Sequence, residues 1–118
     1  MTHIDDKPEE IMQLQENTLT KIKRFEHLFQ SGHKSVLIDI TLNKLAEIEL
    51  AELRKNLREL KLRISQYETQ YGMSSREFSE RFDAGELGDT ADFIEWFAYA
   101  DMKAEVAGKI NILSQKES

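Results

Sequence analysis

The chain has 118 residues, carries 16 Lys and Arg against 22 Asp and Glu, and has a net charge of −6 at pH 7. That length makes one domain, or one core with an appendage. With no Cys, disulfides and thiolate metal sites are excluded, and no run approaches the ~18 apolar residues that span a bilayer.

The opening residues, Met-Thr-His-Ile-Asp-Asp, lack a basic and then apolar leader, so a cytoplasmic protein is expected. One Pro and five Gly leave few helix breakers, and a charged share of 32% suits slender helices with much surface. The expected fold class is all-α: a long-helix bundle or coiled-coil-like assembly, with one short strand at 35–41 as an option. Three segments are expected in one folding unit. They are an amphipathic helix at 1–32, a lead-in and long heptad helix at 33–71, and a short helix, loop and final helix at 72–118.

The first helix is expected from Asp6, with Pro8 just inside it and Glu9 and Glu10 in its first turn, where acids suit the positive end. Its apolar stripe runs Ile11, Leu14, Thr18, Ile22, Phe25 and Phe29, widened by Met12, Leu19 and Leu28. Gly32 is placed to end it in the left-handed conformation. Residues 34–41 (Lys-Ser-Val-Leu-Ile-Asp-Ile-Thr) are the one β-like segment. They read either as a helical or extended lead-in or as half of a two-stranded ribbon across a dimer.

From Leu42 to Tyr71 the apolar residues fall at Ala46, Leu50, Leu53, Leu57, Leu60, Ile64, Tyr67 and Tyr71. Alternating steps of four and three make a heptad seam. Thirty helical residues form a rod of roughly 45 Å, which must pack along another long helix. A homodimer seam of Leu50, Leu53, Leu57, Leu60 and Ile64 is the expectation, with a hairpin onto the chain's own final helix as the alternative. The bases Arg54, Lys55, Arg58, Lys61 and Arg63 are interleaved with acids and face several directions, so nucleic acid is an unfavoured partner.

Gly72 caps the rod, and Ser74 with Glu77 reads as a capping box, with Met73 and Phe78 as its hydrophobic staple. A short helix over 75–84 ends at Gly85. Gly-Glu-Leu-Gly-Asp (85–89) then leads to a last helix capped by Asp89 or Thr90. This helix has two stripes: Phe93, Phe97, Ala100, Ala104 and Ala107, and Trp96, Tyr99, Val106, Ile110 and Leu113. Residues 71–101 hold two Arg against eight acids, an acidic module suited to basic protein surfaces. The candidate partner-binding residues are Phe93, Trp96, Phe97 and Tyr99, since large aromatics dominate interfaces, with Glu86 and Asp89 beside them. The competing reading is that the aromatics fill this protein's own core.

His3, His27 and His33 lack metal-ligand spacing, and helix N-terminal charge accounts for Glu86, Asp89, Asp92 and Glu95 without a cation. No metal, cofactor or catalytic residue is implied, and the expectation is a non-enzyme. Tyr71-Gly72-Met73-Ser74-Ser75, Glu77-Phe78, Ala84-Gly85-Glu86-Leu87-Gly88-Asp89, Asp92-Phe93 and Glu95-Trp96 resemble a motif of small prokaryotic antitoxin-like proteins assigned to toxin–antitoxin gene pairs. The resemblance covers about residues 36–103. It implies a non-enzymatic protein that binds and restrains a toxin. A structural or adaptor coiled-coil dimer and a DNA-binding autorepressor are the alternatives.

Overall fold

The computed structural model describes the backbone of residues 8–115 and the side chains of residues 17–115. Every described element is a helix: α1 Pro8–Gln30, α2 Val36–Tyr71, α3 Ser75–Asp83 and α4 Ala91–Ser114. The fold is all-α. The chain divides into two compact units, Met1–Asp39 and Ile40–Ser118. The expected start at Asp6 lies outside the described residues, as do His3 and the side chains of Glu9, Glu10, Ile11, Met12 and Leu14.

In the first unit, α1 closes at Gly32, whose φ of 99° is open to glycine at little cost. The His33 amide donates to the Leu28 carbonyl across this turn, satisfying a group the helix end leaves orphaned. Next, Ser35 caps α2: the Ile38 amide donates to Ser35 Oγ at 3.2 Å and the Asp39 amide to the Ser35 carbonyl. This cap decides the β-like segment. Residues 36–41 are the first turns of α2, not a strand, so the ribbon option is corrected. Branched residues disfavour helix only weakly, and a serine cap contributes about 1 kcal/mol in its favour.

In the second unit, α2 and α4 run antiparallel. Tyr71 meets Phe93 (ring centroids 4.9 Å apart), Tyr67 meets Trp96 (5.7 Å) and Arg63 meets Tyr99. In the same register Leu60 lines a shallow cleft with Met102. The seam residues Ala46, Leu50, Leu53, Leu57, Leu60, Tyr67 and Tyr71 are half-buried, as are Ile38, Asn56 and Glu68, and Ile64 is fully buried. At its Ile64–Tyr71 end the seam packs on the chain's own last helix, the hairpin alternative, while Leu50, Leu53, Leu57 and Leu60 are half-buried. Heptad spacing selects a face, and α4 presents a matching one at 92, 96, 99, 103, 106, 110 and 113.

Helix α3 closes one end of this hairpin. It is nine residues long, too short to persist alone, and it survives by burying Phe78, which is 1% exposed. Ile64, Phe78 and Trp96 form the core, flanked by Tyr67, Tyr71, Met73, Phe82, Leu87, Phe93 and Tyr99.

Candidate functional site

The glycine- and aromatic-rich segment 71–96 occupies the α2–α3–α4 end of the second unit. Trp96, completely buried, is its centre. Its indole stacks on Phe78 with centroids 4.0 Å apart and planes within 2°, and on Tyr67 at 5.7 Å and 13°. The indole also needs a hydrogen-bond acceptor, as a buried N–H does. Trp96 Nε1–H donates to Ser75 Oγ at 3.1 Å, and Ser75 Oγ–H donates to Glu68 Oε2 at 2.8 Å. The Ser75 backbone amide donates to the same carboxylate oxygen at 2.9 Å. One serine thus ties α4, α3 and α2 together.

Both turns around α3 follow the same logic. Gly72 (φ 64°) ends α2 while the Met73 amide donates to the Glu68 carbonyl. Ser74 accepts from the Glu77 amide at 3.0 Å, the expected cap. At the other end Gly85 (φ 77°) follows the α3 cap, and the Glu86 amide reaches back to the Arg81 carbonyl at 2.9 Å. Leu87 turns into the core, Gly88 (φ 75°) reverses the chain again, and Thr90, not Asp89, caps α4 by accepting from the Phe93 amide. Gly-Glu-Leu-Gly-Asp is a connector: two left-handed glycines bracket one apolar plug.

Much of the acidic charge is engaged locally. Arg81 pairs with Glu77 (3.8 Å) and Glu86 (3.4 Å), and Arg76 with Glu80 (3.6 Å). Asp92 accepts from the Tyr71 hydroxyl and Glu95 from the Tyr67 hydroxyl. These bonds hold both phenols above their ordinary pKa of 10.0. For Tyr67 the bond to Glu95 comes first, then burial and the neighbouring carboxylates; for Tyr71 the bond to Asp92 comes first, then burial. Among the described residues no group of three or more acids or histidines is placed to hold a metal. No described helix is long and apolar enough to cross a membrane.

The candidate partner residues therefore separate. Trp96 is an anchor of the fold and is not reachable by a partner. Phe93 is half-buried between Tyr71 and Phe78, and Tyr99 is half-buried beneath Arg63, whose guanidinium carbon lies 5.7 Å from the ring centre. Phe97 remains 46% exposed, its ring centre 5.4 Å from that of Phe82 with the planes tilted by 30°, and Ile94 one turn before it is 52% exposed. Glu86 and Asp89 are exposed on the connector. Sequence reasoning passed over Ile94 because it lies outside both stripes of α4, on the polar side of Phe97. The Ser75–Glu68 relay was missed as well, since seven-residue spacing across a turn carries no familiar signal.

Compared with known proteins, the chain matches no protein family, no curated protein and no solved structure.

Proposed function

We propose that the chain is a non-enzymatic protein-binding module of antitoxin type, acting in the cytoplasm on a partner toxin. The observation that carries this reading is the open apolar step of Ile94 and Phe97 on α4, backed by an aromatic core, on a helix that follows the exposed acids Glu86 and Asp89 of the connector. A large apolar pair on a preorganised helix binds without paying for ordering, and neighbouring carboxylates steer a basic partner. The motif resemblance supplies the kind of partner.

The test is co-expression with the product of the adjacent gene. That product alone is expected to arrest growth. The natural chain should restore growth and co-purify with it, while Ile94→Asp with Phe97→Asp should do neither. A neighbour that is harmless, or that never co-purifies, sinks the antitoxin reading and leaves a structural adaptor. Binding that survives the double substitution moves the surface elsewhere.

A further inference from the structure

We infer that the outer face of α4 is a second heptad seam that takes one helix of a partner protein, with a Lys or Arg of that helix seated against Asp101. Three observations carry the inference. The first is spacing. Ile94, Phe97, Asp101, Ala104, Gly108 and Asn111 follow one another by alternating steps of three and four, and all six are exposed. At ~3.6 residues per turn they share one side of the helix, opposite Trp96 and Tyr99. That rhythm is matched by another helix. The second is charge. Asp101 sits in the middle of the seam, and the seam holds no base. Lys103 lies in the cleft with Ile64, Lys109 pairs with Glu105 at 3.4 Å, and among the described residues no Lys or Arg pairs with Asp101. The third is Gly108. Its φ is not positive, and nothing stands within 4 Å of the place its Cβ would take. The chain itself therefore has no use for a glycine there, and the helix is weaker for it. A missing Cβ lets the backbone of a facing helix come close.

The same residues say what kind of helix fits. A second copy fits badly on charge. Parallel pairing faces Asp101 with Asp101, and the antiparallel pairing that seats Phe97 over Gly108 brings both Asp101 carboxylates to the middle of the contact with no base beside them. A different helix meets both requirements when it is basic at its middle seam position and bulky where it faces Ala104 and Gly108. One charged pair inside an otherwise apolar seam also fixes the register of the two helices. The inference rests on Ile94 and Phe97 being the partner surface. It extends that surface along α4 and names the chemistry of what lies on it.

The probes are two fluorescein-labelled synthetic helices of about three heptads, with Leu at the seam positions and Ala and Gln elsewhere. They differ at the middle seam position, which is Lys in one and Glu in the other. Fluorescence anisotropy follows their binding to the full chain up to about 300 μM. The Lys helix should bind at least tenfold more tightly than the Glu helix, and Asp101→Lys should reverse that order. Gly108→Met should weaken the Lys helix at least tenfold while the thermal midpoint of the chain does not fall, a combination that a purely structural role for Gly108 would not produce. Fluorescence of Trp96, the single tryptophan, confirms that each variant is folded. The inference is overturned if neither helix binds, if both bind alike, or if the order survives Asp101→Lys. Self-association of the natural chain that Gly108→Met abolishes overturns it too, by giving the face to a second copy. The co-expression result is read separately. Helices that bind as described beside a neighbour that never co-purifies sink the antitoxin reading alone, and a neighbour that binds without this charge preference sinks the seam alone.

Discussion

Phe78 and Phe97 make a matched pair for testing the packing argument, because they are the same residue in the same unit and differ mainly in burial. Phe78 is 1% exposed and stacked on Trp96 at 4.0 Å, while Phe97 is 46% exposed. Phe78→Ala loses the whole transfer free energy, leaves a cavity and removes a parallel aromatic contact. Core Phe→Ala costs ~3–5 kcal/mol, and the stacking is worth ~0.5–1.5 kcal/mol. Phe97→Ala loses about half the transfer term and leaves no closed cavity, so ~1 kcal/mol is expected. The difference, at least ~2 kcal/mol, is more than tenfold in the folding equilibrium. Urea unfolding followed by Trp96 fluorescence measures both, with equal slopes required for the comparison. A unit of 79 residues has ~4–12 kcal/mol in total, so Phe78→Ala should sit near the edge of stability and Phe78→Leu should remain folded. Equal midpoints for Phe78→Leu and Phe97→Leu would refute the claim that the Phe78–Trp96 stack is the centre of this unit.

Three further outcomes are expected. Ser75→Ala strands the buried Trp96 N–H and should cost ~1–3 kcal/mol, more than the ~1 kcal/mol of removing the Ser74 cap; denaturant midpoints of the two variants decide the order. Gly85→Ala and Gly88→Ala should each destabilise by ~1–2 kcal/mol although open space surrounds both Cβ positions, because only the backbone conformation objects. By contrast Gly108→Ala, inside α4 with equally open space, should stabilise by ~0.5–1 kcal/mol, and thermal melts report both signs. Tyr67 is held protonated in the folded state above its ordinary pKa of 10.0, so its contribution is complete below pH 10 and is lost as pH rises beyond it. Unfolding midpoints from pH 8 to 11 should fall more steeply for the natural chain than for Tyr67→Phe; parallel profiles would refute the Tyr67–Glu95 link.

What could be read in advance was local or periodic. The seam from Ala46 to Tyr71, the cap at Ser74 and the glycine stops at 32, 72 and 85 each depend on a few neighbours, and the structure has them all. Periodicity names a face without naming what covers it, so the seam's partner stayed open between a second copy and α4. The deciding signal was present in α4, whose inward positions repeat the same steps of four and three. That stripe is legible at Trp96, Tyr99, Val106, Ile110 and Leu113, but the charged Asp92 and Lys103 at its other positions obscure its match to the α2 seam. Ser35 was overlooked for a different reason: the branched run after it dominated the local reading, although a cap acts on the whole first turn.

The motif itself bears on how far resemblance carries function. Tyr71 rests on Phe93 and donates to Asp92; Gly72, Gly85 and Gly88 take left-handed turns; Ser74 caps; Ser75 bridges Trp96 to Glu68; Leu87 plugs the core. Almost every residue that makes the motif recognisable has work to do inside the fold. Proteins sharing this pattern should therefore share the α2–α3–α4 arrangement whatever they bind, and their partners should be distinguished by exposed positions outside it such as Ile94 and Phe97, which the architecture constrains least. The separation can be measured: exchanging Ile94 and Phe97 for the residues of a second motif-bearing protein should transfer partner choice while lowering stability by no more than the ~1 kcal/mol expected of Phe97→Ala. Transfer of partner choice by the buried positions instead would mean that the motif encodes recognition directly.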